Sequence, residues 1–477
     1  MKISIFFYLL ILMIAPFSSC KKLVQISPPV NSITTQEVFT DSSDANSAIL
    51  GIYAKVINQS ATGFSFGSGD ITYFCGISSD ELIPWTNSGS TAQLYLNQLT
   101  STSNITDPIW KQAYPIIYQA NANLEGLKAS NTLSAEAKNQ FEAEAIFLRA
   151  LCYFYLINLY GDVPYITSSD FQSNSTAGKT SAKQIYQYII ADLVQAEPNL
   201  ATDYSMSQNN RTRVNRWGAA ALLARLYLYT GDWANAAAKA TEVITNSMYA
   251  LESNLNNVFL KSSREAIFQL SLNTSLYPYN ATPEGYFELP VSPTSPPKSF
   301  YITNILNAAF EPSDQRKLFW IDSCIYAGKK YYYPFKYKVG SHQASANTAA
   351  TEYYMVLRLA EQYLIRAEAE AHGAGGGVDS AISDLNKLRL RAGLLPISQS
   401  SQADILTEIY HERQVELFAE WGNRWLDLKR TAMVDSVMSD ATPTKSGGKS
   451  WISNQQLYPI PQSELLADPS LAQNPGY

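Results

Sequence analysis

The chain has 477 residues, 46% of them hydrophobic and only 16% charged, with a formal net charge of −6. That is ample apolar material for a core, and it removes the basic field on which nucleic-acid binding depends, so nucleic acid is excluded as a partner. The aromatic share is 12%, with 31 Tyr, and many of these rings fall in loop-like stretches where a core does not call for them.

Met1 to Ser19 carries Lys2 and then the apolar run Ile3 to Phe17. The run is too short to span a bilayer comfortably and reads as an export signal, residues 1–19. Ser18, Ser19 and Cys20 fit a lipoprotein cleavage site, with Phe17 where Leu is more usual. Cleavage there makes Cys20 an acylated N-terminus, and acyl chains at about 0.8 kcal/mol per buried methylene hold a protein on a membrane almost permanently. Losing residues 1–19 removes one Lys and no acid, taking the charge from −6 to −7, so the anchor and not charge must hold the protein there. Residues 20–42, with Pro28 and Pro29, read as a tether to one folded body, 43–477. Cys75, Cys152 and Cys324 are odd in number and widely spaced, so neither a disulfide framework nor a metal knuckle is indicated.

The body begins with an amphipathic helix over Asp44–Ile57. Residues 63–104, rich in Gly, Ser and Thr, show no sustained period and read as structured loop. Gly63 to Gly67 satisfy the G-x-S-x-G pattern of a hydrolase elbow, which needs a strand before the Ser and a helix after it; Gln59–Thr62 and Ser68–Asp70 offer neither. Ile109–Lys128 and Ala135–Tyr160 form a helical hairpin, Ile185–Ala196 adds a helix, and Arg213–Tyr229 with Trp233–Asn246 make a second hairpin. Tyr353–His372 and Val378–Arg391 make a third. Gly373–Gly377 between them is a turn, with no Gly-Lys-Ser/Thr to make it a phosphate cradle. These pairs, over about 109–160, 185–246 and 353–430, resemble tetratricopeptide repeats, which serve as rigid frames and partner surfaces. Leu251–Thr351 lies between them, Pro-punctuated and aromatic, and a hundred residues without helical period inside a helical frame point to function.

Leu406–Arg430 is the pin of the frame. Leu406, Ile409, Arg413, Leu417 and Trp421 fall on one helical face beside Glu412, Glu416 and Glu420, and Gly422 and Asn423 break the helix. Arg424, Asp427 and Arg430 follow on a second helix whose cations can fold back on those carboxylates. Glu412 with Glu416, or Asp80 with Glu81, could act as a glycosidase acid/base couple. Catalysis needs one raised carboxyl, and neighbouring cations favour the ionised forms of Glu412 and Glu416, so the expectation there is a partly buried ion-pair network, while Asp80 and Glu81 are expected to orient or cap their loop. Three His, at 342, 372 and 411, give no H-E-x-x-H and no Ser-His-Asp set. No cofactor, metal site or catalytic residue is expected.

The pattern carried by Glu412, Arg413, Glu416, Leu417, Glu420, Arg424, Trp425, Asp427, Leu428, Lys429 and Arg430 resembles the SusD/RagB family. Here Trp421 stands between Glu420 and Gly422, where that family usually has Glu-Gly. The terminus LYPIPQSELLADPSLAQNPGY is also similar to the family's. The resemblance implies a mostly α, tetratricopeptide-like frame with long irregular loops and few short strands. It implies an outer-membrane lipoprotein, facing outward through Cys20, that binds an oligosaccharide and delivers it to a SusC-like TonB-dependent transporter. A sugar needs aromatic platforms and fixed polar groups. Trp110, Trp217, Trp233, Trp421 and Trp425 lie on predicted helices and read as packing residues. That leaves Trp85, Trp320 and Trp451 as loop candidates, and because the resemblance places family ligand contacts in the early loop and the central insert, the expected contacts are Trp85, Asn87, Tyr277, Tyr279, Tyr286 and Trp320. The alternatives are peptide or protein capture on the same fold, and a surface glycoside hydrolase.

Overall fold

The computed structural model describes residues 38–57, 66–398 and 401–477. The export signal, Cys20, most of the tether and Gly63 to Ser65 of the G-x-S-x-G stretch lie outside the described residues. The body is mostly helical. The helices of the frame and the pin are α1 (Ser42–Ile57), α2 (Asp107–Ala129), α3 (Ala135–Tyr160), α4 (Ala182–Ala196), α5 (Arg216–Thr230), α6 (Trp233–Ile244), α7 (Leu359–Ala371), α8 (Gly377–Arg391), α9 (Gln402–Leu417) and α10 (Asn423–Arg430), and a further helix, Val434–Ser446, follows them.

Capping chemistry sets several of these boundaries. The Ser134 side chain accepts from Ala137 N at 3.2 Å and opens α3, and Asn215 accepts from Gly218 N at 3.0 Å and opens α5. Helix α3 is apolar nearly all round and buried along almost its whole length, as expected of a helix packed on several sides. It is long and apolar enough to cross a membrane, but its residues are enclosed by the body. Helix α3 packs on α2 and α4, α5 on α6, α6 on α7, and α7 on α8 and α9. Ala224, Ala236, Ala240, Ile365 and Ala369 share one small cluster, so α7 closes onto the second hairpin although residues 251–351 separate them in sequence. The small side chains there permit that approach.

Strands β1 (Leu82–Pro84), β2 (Ala266–Leu270), β3 (Phe300–Ile302), β4 (Ile321–Tyr326), β5 (Lys329–Pro334) and β6 (Tyr354–Arg358) make antiparallel pairs β1 with β3, β2 with β6 and β4 with β5. Three expectations are corrected here. Tyr354–Arg358 is a fully buried strand, and helix starts only at Leu359; a short continuous apolar run gives no period by which to tell strand from helix. Residues 63–104 are not loop throughout, since Ile71–Ser78 and Gly89–Tyr95 are helical. Nearly every side chain of Ile71–Ser78 is buried, which erases the amphipathic stripe. Finally, α9 ends at Leu417 rather than running to Trp421. Phe418 is extended, and Ala419, Trp421 and Gly422 have φ of 49°, 48° and 70°.

That link is fixed by packing. A Cβ on Gly422 would lie 2.6 Å from Cys75 Cβ, so only glycine fits this left-handed position. The Trp421 indole donates to Met355 O at 2.7 Å and stacks between Tyr155 and Tyr354, with centroids at 5.3 and 5.2 Å. Cys75, Cys152 and Cys324 are free and buried.

Candidate glycan-binding site

The charged residues of the pin are placed first, because they decide what the carboxylates can do. Glu416 Oε1 accepts from Arg358 Nη1 at 2.7 Å, its Oε2 accepts from Arg316 Nη1 at 3.0 Å, and Arg391 also reaches it. Burial raises the Glu416 carboxyl, but the Arg391, Arg358 and Arg316 charges outweigh this and hold it well below the usual carboxylate range. Glu412 pairs with Arg316, and Glu420 with Arg358 Nε at 2.8 Å and with Lys336. Arg413 meets Asp427 at 2.7 Å, Arg430 binds Asp427 and Glu368, and Arg424 forks onto Asp80 at 2.9 and 2.8 Å.

The partners therefore differ from those expected. Cations of the insert and of β6 and α8 satisfy Glu412, Glu416 and Glu420, while Arg424 and Arg430 turn to other acids. The helix ends at Leu417, which takes Glu420 out of the i, i+4 row. Asp80 lies below the usual range because Arg424 overcomes its burial, and burial pushes Glu81, beside the Asp80 charge, up to about 8. Asp80, Glu81, Glu412 and Glu416 are all about 99% buried or more, so none faces a groove where a polysaccharide could lie.

Trp320 is corrected as a ligand contact. Its ring is fully buried, its Nε1 donates to Leu255 O at 3.0 Å, and Phe259 meets it edge-on at 5.6 Å. Lys336 Nζ lies 4.9 Å from its centroid, with the Arg358 and Arg391 guanidiniums at 5.9 and 5.8 Å. It roofs the ion network and has no face for sugar.

Trp85 stands differently. It follows β1, whose pairing with β3 sets Ile83 opposite Tyr301, and Trp85 N donates to Ser299 O at 2.9 Å. Its half-buried ring meets Tyr301, Tyr326 and Tyr331 edge-on at 6.5, 5.7 and 5.4 Å, and Tyr301 meets Tyr331 at 5.0 Å. Tyr326 and Tyr331 come from the β4–β5 hairpin, whose two-residue turn, Ala327 and Gly328 at φ 49° and 77°, matches the twist of the strands. Tyr326 is 40% exposed, and Asn87 is exposed at the rim.

Tyr277, Tyr279 and Tyr286 form a second group with Phe287. Tyr277 lies 6.2 Å from Tyr279 and 4.6 Å from Tyr286, and Tyr286 lies 5.2 Å from Phe287. Tyr277 is 40% exposed. The segment Lys298–Ser299 joins the groups, because Ser299 Oγ donates to Phe287 O at 2.7 Å while its carbonyl accepts from Trp85. Tyr301, Tyr326, Tyr331 and Phe287 belong to the aromatic insert but were not among the expected ligand contacts. Strand register brings them to Trp85, and the one available signal was the density of Tyr around a Gly-containing turn along 326–333. Such an arrangement offers several partly open ring faces and edges. Among the described residues no group of His, Cys, Asp and Glu has the arrangement of a metal site.

Residues 322–477 match the SusD family, and residues 52–228 match a SusD-like family described as "starch-binding associating with outer membrane". A SusD-like protein of Formosa agariphila is 26% identical over 96% of this chain and 97% of its own, and the starch-binding protein SusD of Bacteroides thetaiotaomicron is 25% identical over 85% of each. Two solved structures share the fold. A SusD superfamily protein of Parabacteroides distasonis aligns with TM-score 0.76 at 23% identity, over 94% of this chain and all of that one. Surface glycan-binding protein A of Bacteroides thetaiotaomicron, solved with laminarihexaose, aligns with TM-score 0.75 at 20% identity, over 91% of this chain and 99% of that one. With two SusD-type models on separate parts of the chain, relatives along nearly all of it and this architecture, the chain belongs to the SusD-like family.

Proposed function

We propose that the protein is a glycan-binding lipoprotein of the outer membrane, anchored through Cys20 and facing outward. It captures an oligosaccharide without chemistry and hands it to a SusC-like TonB-dependent transporter. The observation that carries this reading is the aromatic group of Trp85, Tyr301, Tyr326 and Tyr331, assembled from three separate segments and left partly open. Tyr277, Tyr279 and Tyr286 extend it and Asn87 offers an amide to sugar hydroxyls. Ring C–H faces of a sugar pack on such surfaces, and a few fixed polar groups orient them. The starch-binding and laminarihexaose-bound relatives support sugar as the ligand, and the paired, buried carboxylates support binding over hydrolysis.

The test is calorimetric titration of the detergent-solubilised full chain with plant, host and microbial oligosaccharides. One glycan class should bind, and Trp85→Ala should weaken it about tenfold or more. Heat from a peptide digest and from no sugar would refute the reading.

A further inference from the structure

Lys298 lies beside the second group of rings, one residue before the Ser299 that links it to Trp85. Its Nζ lies 4.0 Å from the Tyr286 centroid and 5.6 Å from that of Phe287, and it donates to the Tyr286 carbonyl. Lys329 Nζ lies 5.0 Å from the Tyr331 centroid, and Lys329 pairs in register with Tyr326 across the hairpin. Cross-strand partners share a face, so this second ammonium stands on the Trp85 side of the platform. Among the described residues neither lysine has an acidic partner within ion-pair distance.

The nearby carboxylates do not cancel this charge. Glu284 and Glu288, on the helix that carries Tyr286 and Phe287, are almost wholly buried. Burial raises the Glu284 carboxyl to about 8 and the Glu288 carboxyl well above the usual range, so it disfavours a negative charge on either. Glu81, behind Trp85, is likewise pushed up to about 8 by burial. Asp322, which accepts from Tyr333 OH at 3.2 Å, is charged but stands at the far end of the hairpin from Lys329, four residues from Tyr326 along β4. Burial lowers the Lys298 ammonium to about 8, as expected of a cation removed from water without a counter-charge. A chain with net charge −6 thus presents uncompensated cations where the rings are open.

Resting on the capture reading above, we propose that the ligand is an acidic glycan, whose carboxylate or sulfate group is taken by Lys298 and Lys329 while its rings lie on Tyr286, Trp85 and Tyr331. The aromatic rings supply sequence-tolerant contact and the ammonium groups select the anion. Charge-assisted hydrogen bonds at a partly desolvated position are the stronger kind.

The experiment compares a hexagalacturonate, the neutral hexamer made from it by carboxyl reduction, and a sulfated neutral hexamer, each titrated into the full chain in detergent at low and high salt. At least one acidic hexamer should bind about tenfold tighter than the neutral one, with an advantage that shrinks in high salt. Binding of only one acidic hexamer identifies which anion is recognised. Lys298→Gln should lower acidic-hexamer affinity about tenfold more than it lowers neutral-hexamer affinity, and Lys298→Arg should restore the preference. Unchanged thermal unfolding of both variants shows that the platform is intact. Neutral hexamer binding as tightly as both acidic ones, sensitive to Trp85→Ala but with no acid preference for Lys298→Gln to remove, overturns the acidic-ligand proposal and leaves glycan capture standing. No binding by any of the three overturns the acidic-ligand proposal, and the wider panel described above then decides on capture itself.

Discussion

Replacing Glu416 by Gln is the sharpest test of how the pin holds the frame. The substitution is nearly isosteric, so it leaves no cavity, but it removes the one negative charge shared by Arg316, Arg358 and Arg391, all almost wholly buried. The Glu416 carbonyl would still accept from Lys336 Nζ and Arg358 Nη2, at 2.9 and 2.8 Å. Three guanidiniums would then crowd a neutral amide in low dielectric. Breaking a buried pair by removing one partner costs about 3–5 kcal/mol, mostly the penalty of the charges left behind. The assay is urea unfolding followed by tryptophan fluorescence, with Glu242→Gln as control. Glu242 meets Lys239 at 3.0 Å on the surface with its own side chain 39% exposed, and such a pair is worth about 0–1 kcal/mol. If Glu416→Gln falls within about 1 kcal/mol of wild type, or cannot be told from the control, the network does not lock the helices as argued.

Other outcomes follow from the same geometry. Trp320→Ala should destabilise the protein by about 3–5 kcal/mol, as for large core aromatics, which unfolding would show; a variant that loses glycan affinity with unchanged stability would contradict its burial. Gly422→Ala forces a Cβ against Cys75 at a left-handed φ and should cost about 1–3 kcal/mol in the same assay. Stability should also fall as pH rises from the ordinary carboxylate value of 4.5 to about 8 and level off above it. Glu81 and Glu284 have folded values raised to about 8 by burial, so the folded state binds more protons than the unfolded chain above the ordinary carboxylate range, and the contribution is lost as pH climbs toward 8. Each pKa unit corresponds to about 1.4 kcal/mol, so Glu284→Gln should unfold at a higher temperature than wild type at pH 8 and flatten the pH dependence; an unchanged slope would sink that account.

What could be read from the chain beforehand was local. Ala135–Tyr160 was legible to the residue because Ser134 caps it and Gly161 stops it, and the paired Glu412 and Glu416 announced a network by spacing alone. Their partners did not, because Arg391, Arg358 and Arg316 lie 25, 58 and 100 residues from Glu416 and no spacing rule reaches that far. Trp85 and Trp320 looked alike as loop aromatics, and only packing separates a ring on a platform from one beneath three cations. Tyr301 and Tyr331 reach Trp85 through strand register, a property of the folded pairing and not of either segment.

The β4–β5 hairpin pairs only with itself, and its turn needs nothing from the frame. Its register is set within fourteen consecutive residues, while the ion network that locks the helices ends upstream of it at Arg316 and resumes at Lys336. The hairpin is thus a locally specified unit, tied to the insert where Ile325 N donates to Pro293 O at 2.8 Å and where Cys324 and Tyr333 pack on Leu289. Its exposed positions, Ile325, Tyr326, Lys329 and Lys330 among them, can be exchanged or re-charged at little cost to the helical scaffold, whereas Cys324 and Tyr333 are held by their burial.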